Sequence, residues 1–106
     1  MDAKTLESIF PKTLQRNLGY AFLRDSQGNS VEVRKGDKVS LINPKSISQG
    51  MARRSQYKVN LATESFLGKG LYDVQKIKKE SSGNIVFQVE KNGRTKILSE
   101  VYLTKG

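Results

Sequence analysis

The most regular alternation of hydrophobic and polar positions lies in the C-terminal third of the chain, over residues 70–103. Ile85, Phe87 and Val89 share one face of this segment, which is the period-2 pattern of a strand with one buried face. Asn92-Gly93 follows, and this dipeptide accepts the positive φ angles that a two-residue hairpin turn requires. The pattern therefore predicts three consecutive antiparallel strands and a short closing element, over residues 71–79, 84–91, 95–98 and 101–103.

The N-terminal third predicts a helix followed by a hairpin. Leu6, Ile9 and Phe10 recur at helical spacing, so we expect a helix over residues 3–9 that ends before Pro11. A second helical turn over residues 12–16 is an open alternative. The segment 1–18 as a whole is interpreted as helical, either lying over one end of the fold or serving as an arm that docks on a partner. Residues 19–34 predict a β-hairpin with a glycine-containing turn.

The middle of the chain has a weaker pattern. Residues 38–42 predict a strand that ends before Pro44. Residues 43–56 are poor in large apolar side chains, so we expect an irregular basic loop there, with a short helical turn over 50–54 as the alternative. Tyr57, Val59 and Leu61 alternate with polar residues and predict another strand over 57–62. Residues 63–70 are then a connection into the C-terminal strands.

Three stretches together resemble a known fold family: KGDKVSLINP at 35–44, GLYDVQKIKKESSGNIVFQV at 70–89 and ILSEVYLTK at 97–105. Their layout is similar to small SH3-like barrels, such as KOW and Tudor-like modules and the C-terminal domains of retroviral-type integrases. The resemblance covers about residues 34–105. It implies a mainly β fold, a small SH3-like antiparallel barrel in which a short 3₁₀ turn precedes the last strand. It also implies binding of nucleic acid or peptide through the loops rather than catalysis.

We therefore expect one domain over residues 1–106. The barrel occupies residues 35–106 and includes the irregular basic loop 43–56. The short N-terminal helix and the hairpin over 19–34 are additions to it.

Charge changes the functional interpretation most. The chain has 19 Lys and Arg residues against 10 Asp and Glu residues, which gives a net charge of +9. A small domain this basic commonly binds a polyanion, and solubility is the alternative explanation. The charge is concentrated, since residues 34–58 contain seven basic residues and one acidic residue.

The side chains in this segment are of the types that bind phosphate. Arginine offers a bidentate fork, and amide and hydroxyl donors lie beside it. Tyr57 either packs in the core or stacks on a base of a single strand. Lys76 and Lys78 share a face of a predicted strand, where they either protect the sheet from aggregation or line a groove with the basic loop. The predicted nucleic-acid-binding residues are Arg34, Lys38, Lys45, Arg53, Arg54, Tyr57, Lys58, Lys76 and Lys78.

The composition gives little support for catalysis. The sequence contains neither histidine nor cysteine, so the commonest general base and the thiolate nucleophile are both lacking. The carboxylates are scattered along the chain, although distant pairs such as Asp37 and Asp73 could meet in the fold. We predict no enzymatic activity, no catalytic residues, no metal site and no cofactor.

The sequence also contains no apolar run near the ~20 residues of a membrane span and no visible secretory signal. We therefore expect a cytoplasmic protein, or a nuclear one in a eukaryote, with no membrane partner. The favoured function is a nucleic-acid-binding module for DNA or RNA that makes mainly phosphate-led contacts of low sequence specificity. The alternative is a protein–protein interaction domain that docks an acidic partner, in which case the chain itself would be a viral or phage accessory or host-inhibitor protein. No oligomerisation motif is visible.

Overall fold

A computed structural model describes residues 15–106 of the chain. These residues are mainly β, with one α-helix between the fourth and fifth strands. The helix, α1, is Met51–Leu67, and two 3₁₀ turns are Pro44–Ser46 and Glu100–Tyr102. The strands are β1 (Gln15–Asn17), β2 (Tyr20–Arg24), β3 (Ser30–Arg34), β4 (Lys38–Leu41), β5 (Tyr72–Glu80), β6 (Ile85–Lys91), β7 (Arg94–Ser99) and β8 (Leu103–Lys105).

All of the strand pairs are antiparallel. The larger sheet runs β7-β6-β5-β4-β8, with β1 also paired to β5, while β2 and β3 form a separate two-stranded sheet. β4 pairs with the start of β5 at Tyr72, and β1 pairs with its end at Glu80. A register shift between Val74 and Lys76 marks a β-bulge, which bends a strand and here separates the two halves of β5. Among residues 15–106, no pairing joins β7 to β8.

One hydrophobic core lies between the two sheets and the helix. Tyr72, Phe87 and Val39 are fully buried and supply its centre from the larger sheet. The hairpin contributes Val33, and the helix contributes Leu67 from its last turn. Burying an aromatic or aliphatic side chain of this size stabilises the fold by about 1.5–3 kcal/mol. The core therefore holds together elements that the strand pairing alone leaves separate.

The structure confirms the predicted hairpins. β2 and β3 pair from Tyr20 with Arg34 to Arg24 with Ser30, as the alternation over 20–34 predicts. The β6–β7 turn places Asn92 at φ 55° and Gly93 at φ 77°, the positive angles that the Asn-Gly dipeptide predicts. The C-terminal strands are therefore specified locally.

Two predictions for the middle of the chain are wrong. Residues 51–56 are not an irregular loop and residues 57–62 are not a strand, because both belong to α1. The buried positions of α1 are Gln56, Thr63 and Leu67, whose spacings of seven and four match the helical period. Two of those three side chains are polar, so the hydrophobic pattern did not show the helix.

The N-terminal prediction is only partly within the described residues. The helix expected over 3–9 lies outside them. The helical segment expected over 1–18 is wrong at its C-terminal end, where Gln15–Asn17 forms β1 against β5. Pairing with the second half of β5 gives this short segment an extended backbone.

Side-chain hydrogen bonds fix α1 across the sheet. Gln56 Nε2 donates to Asn60 Oδ1 at 2.8 Å and to the Tyr102 carbonyl oxygen at 3.0 Å. Asn60 Nδ2 in turn donates to the Ile42 carbonyl oxygen at 2.9 Å. At the other end of the helix, Asn92 Nδ2 donates to the Leu67 carbonyl oxygen at 2.9 Å. Because both halves of the helix are hydrogen-bonded to segments that connect the strands, its exposed face has a fixed orientation.

Candidate nucleic-acid interface

Two of the three basic residues in the N-terminal half of α1 are exposed, and the third is half-buried. Arg54 and Lys58 are four residues apart on the helix, so they are neighbours on the same face, and both are exposed. Arg53 is half-buried and lies one turn before Tyr57. The 3₁₀ turn Pro44–Ser46 packs against the helix and presents Lys45 to solvent. The structure therefore brings together five of the predicted residues: Lys45, Arg53, Arg54, Tyr57 and Lys58.

The charge of this helix half is not neutralised by neighbours. Within residues 15–106, no ion pair involves Arg53, Arg54 or Lys58. The first acidic residue of the helix is Glu64, in its second half, and the first turn has none. The helix begins after Gly50 without a side-chain cap, so the partial positive charge of its first N–H groups adds to the arginines. We call the face formed by Arg53, Arg54 and Lys58 the basic helix face.

Arg34 and Lys38 do not belong to it. Arg34 Nε lies 2.8 Å from Glu32 Oε2, and its guanidinium stacks 5.4 Å from the centre of the Tyr20 ring. The hydrogen bond from Arg34 to Glu32, followed by the charge of Glu32, raises the pKa of Arg34. Lys38 pairs with Asp73 on the neighbouring strand β5. Each of these two residues already has an exposed carboxylate partner, and their assignment to a nucleic-acid interface stays a prediction.

Lys76 and Lys78 lie on the outer face of the larger sheet. Ile77 between them is buried, so their side chains point away from the core. In the sheet they lie opposite Gln88 and Val86 of β6. Of the two alternatives for these lysines, a groove shared with the 45–58 segment is not seen at α1, because the groove there is lined by neither lysine. They form a second basic surface on a different element.

The groove beside α1 has a volume of about 500 Å³ and separates the helix from the end of β4. Its helix wall consists of Tyr57, Asn60, Leu61 and Glu64, and residues 40–44 form the facing wall. The Tyr57 and Leu61 side chains are 48% and 71% exposed, so the alternative in which Tyr57 packs in the core is wrong. We call this space the α1–β4 groove.

The floor of the α1–β4 groove contains one perturbed tyrosine. Tyr72 is fully buried, and its hydroxyl donates to the Gly68 carbonyl oxygen at 2.6 Å. Burial raises the pKa of Tyr72, and the nearby charge of Glu64 adds to this increase. Both effects favour the neutral form of the Tyr72 hydroxyl, which donates its proton to the Gly68 carbonyl.

An exposed aromatic pair on the hairpin is not among the predicted site residues. The Tyr20 and Phe22 rings meet edge to face, with centroids 5.7 Å apart, and both are about half exposed. Ala21 and Leu23 between them are buried. The alternation in YAFLR was the available signal, because burying Ala21 and Leu23 necessarily turns the two aromatic rings outward.

Residues 15–106 contain no group of three or more His, Cys, Asp or Glu side chains placed to hold a metal ion. Asp37 Oδ2 accepts a hydrogen bond from the Arg34 N–H at 2.8 Å and lies 3.5 Å from Lys105 Nζ. Asp73 pairs with Lys38, so each of the two carboxylates has its own lysine partner. Within the same part of the chain, no helix has the length and apolar composition that crossing a bilayer requires.

Comparison with known proteins gives no match: no family model, no curated protein sequence and no solved structure is significantly similar to this chain.

Proposed function

We propose that this protein is a nucleic-acid-binding module whose principal contact surface is the basic helix face. The observation that carries the proposal is that Arg53, Arg54 and Lys58 form no ion pair within residues 15–106 and share a helix half without a carboxylate. Phosphate oxygens are suitable ligands for such a surface, since guanidinium groups bind them through paired hydrogen bonds. Phosphate contacts position a protein on nucleic acid without reading sequence, so the expected specificity is low.

The distribution of charge favours binding over a general solubility role. A charge that serves solubility alone needs no concentration on one element. Here three cations that form no ion pair within residues 15–106 lie in one half of α1, and Lys45 extends them onto the 3₁₀ turn that packs against the helix. Concentrated charge of one sign also accelerates the encounter with a polyanion.

We further infer that the mainly β fold is a variant of the SH3-like barrel. The support is the β5–β6–β7 meander, the 3₁₀ turn Glu100–Tyr102 before β8, and the pairing of β8 back onto β4. In this arrangement α1 occupies the connection between β4 and β5. The basic helix face is then an elaboration of a loop, which is where folds of this type carry their binding residues.

The test is a paired charge reversal, Arg53→Glu with Arg54→Glu. Binding of a fluorescein-labelled duplex and a labelled single strand is measured by anisotropy between about 50 and 200 mM salt. On duplex, the wild-type log–log slope is expected to be about −0.9 for each neutralised phosphate, and the variant should lose about two units of slope with at least tenfold weaker binding at the lowest salt.

The matched control is Arg16→Glu with Lys35→Glu, which makes the same change in net charge at two exposed positions away from α1. Its affinity should change much less. Equal weakening by both pairs would show that net charge alone determines binding. Absence of binding to either probe at low salt would remove the proposal and favour the protein-docking alternative, for which the exposed Tyr20–Phe22 pair is the candidate surface.

A further inference from the structure

We propose that the α1–β4 groove accepts unstacked bases of a single-stranded nucleic acid whose phosphates lie on the basic helix face. This inference rests on the proposed function and goes beyond it, because it assigns a strand type and a base-binding site. Recognition of single strands typically combines a cationic track for the backbone with aromatic side chains on which bases stack. Both features occur here on one helix.

The first argument is the position of Tyr57. It is one turn from Arg53 and one turn from Leu61 on the same helix, and it lines the groove. Nearly half of its side chain is exposed. The ring thus lies at the boundary between the unpaired guanidinium groups and the groove. In a bound single strand, a base projecting from a phosphate held by arginine has an aromatic surface beside it.

The second argument is that the groove offers hydrogen-bonding groups with unused capacity. Asn43 Oδ1 accepts the Lys45 N–H at 3.0 Å, while no hydrogen bond from its Nδ2 is found within residues 15–106. Over the same residues, the Glu64 carboxylate makes no side-chain hydrogen bond or ion pair. An amide donor and a carboxylate acceptor are suited to the edges of unpaired bases, which carry both acceptors and amino groups.

The third argument separates single strands from duplex. A duplex presents phosphates to the basic helix face but keeps its bases stacked and paired. It therefore offers no free base for contact with Tyr57, Leu61 and Glu64. Cations lie next to the groove along the chain, since Lys45 follows the wall residue Pro44 and Arg53 precedes the wall residue Tyr57 by one helical turn. The mixed apolar and polar walls and the nearby cations together match a chain that alternates flat bases with phosphates.

The experiment compares three fluorescein-labelled probes of equal length, each about a dozen nucleotides. These are oligothymidylate, an abasic strand with the same phosphates, and a duplex. For wild-type protein, oligothymidylate should bind at least about fivefold more tightly than the abasic strand, which is the lower limit expected for stacking of one base. Tyr57→Ala should remove most of this preference without changing the salt slope, and Tyr57→Phe, which keeps the ring, should retain it.

The matched control is Phe66→Ala, which removes a ring of similar exposure on the other flank of α1, where it stacks on Arg94. Its preference for bases should equal that of the wild type. The inference is overturned if the abasic strand or the duplex binds as tightly as oligothymidylate, or if Tyr57→Ala and Phe66→Ala act alike. In those cases salt-dependent binding through Arg53 and Arg54 would persist, so the proposed function would stand, whereas failure of every probe to bind would remove both.

Discussion

At the scale of single residues, two polar side chains are buried on the inner face of α1 in opposite ways. Gln56 is 1% exposed, and its amide donates two hydrogen bonds, to Asn60 and to the Tyr102 carbonyl. Thr63 is fully buried, and its hydroxyl has no hydrogen-bond partner within residues 15–106. A buried hydroxyl without a partner retains its desolvation penalty. Gln56 therefore orients the helix, while Thr63 weakens its attachment.

Replacing this hydroxyl should stabilise the protein. Thr63→Val keeps the branched shape and removes the unsatisfied group, so the free energy of unfolding should rise by about 1 kcal/mol. Chemical denaturation monitored by circular dichroism measures the change. Thr104→Val is the matched control, because the Thr104 hydroxyl donates to the Arg24 carbonyl oxygen and its loss should destabilise by a similar amount. A destabilised Thr63→Val variant would show that the Thr63 hydroxyl does not weaken the attachment of α1.

The residue types of the candidate site were visible in the sequence, but their pairing was not. Arg34 and Arg54 are both arginines of the basic segment 34–58, and the sequence alone does not distinguish them. Glu32 lies two residues from Arg34 on a strand, where i and i+2 share a face, and Arg54 has no such neighbour. Lys38 is neutralised by Asp73, which is 35 positions away and reaches it only through the β4–β5 pairing. Free charge is thus a property of the fold, whereas total charge is a property of the sequence.

At the scale of elements, local signals explain which predictions are confirmed. The β6–β7 and β2–β3 hairpins each contain typical turn residues between segments in which hydrophobic and polar positions alternate. Each hairpin can therefore be predicted from its own segment. The hydrophobic pattern of helix α1 does not mark its buried face, because Gln56 and Thr63 are buried while Met51 and Leu61 are exposed. The accidental alternation of Tyr57, Val59 and Leu61 then favoured a strand. The signal that could have found the helix is the 17-residue stretch between Gly50 and Gly68, which contains neither glycine nor proline.

Helix and hairpin also depend on each other. Asn92 takes a left-handed backbone conformation in the β6–β7 turn, and its side chain caps the Leu67 carbonyl at the end of α1. Arg94 Nη1 donates to the Phe66 carbonyl oxygen at 3.1 Å and adds a second link. The turn therefore has two roles, reversing the chain and satisfying carbonyl groups that the helix end leaves unpaired.

Two substitutions at Asn92 separate these roles. Asn92→Gly keeps the left-handed turn and loses the cap, so it should cost about 1 kcal/mol of stability. Asn92→Ala loses the cap and also strains the turn, which should add about 1–2 kcal/mol. Hydrogen exchange should show faster exchange in the last turn of α1 for both variants. Equal stability of the two variants would mean that the turn conformation contributes nothing.

At the scale of the whole molecule, the net charge of +9 opposes the compact state through self-repulsion. Two carboxylates with shifted pKa values change the stability of the protein at neutral pH in opposite directions. The hydrogen bond from the backbone N–H of Arg34, with the charge of Lys105, lowers the pKa of Asp37. The ionised Asp37 therefore stabilises the fold at any pH above the pKa of an unfolded aspartate. This contribution is lost as the pH falls through the lower pKa of Asp37 in the folded state. Burial raises the pKa of Glu100, so its ionisation costs stability at neutral pH and the cost disappears on protonation.

Acid should therefore destabilise the protein, and salt should reverse much of the loss. Lowering the pH from about 7 to about 3 protonates most carboxylates, and the uncompensated Lys and Arg charges then dominate both of the individual carboxylate effects. The thermal midpoint measured by circular dichroism should fall along this series at low ionic strength. It should recover at about 0.15 M salt, where repulsion beyond ~8 Å is screened.

Glu100→Gln should raise the midpoint at neutral pH and leave it unchanged at about pH 3, because wild-type Glu100 is itself protonated there. A midpoint at acid pH that does not respond to salt would show that specific carboxylate contacts, rather than the overall positive charge, determine acid stability.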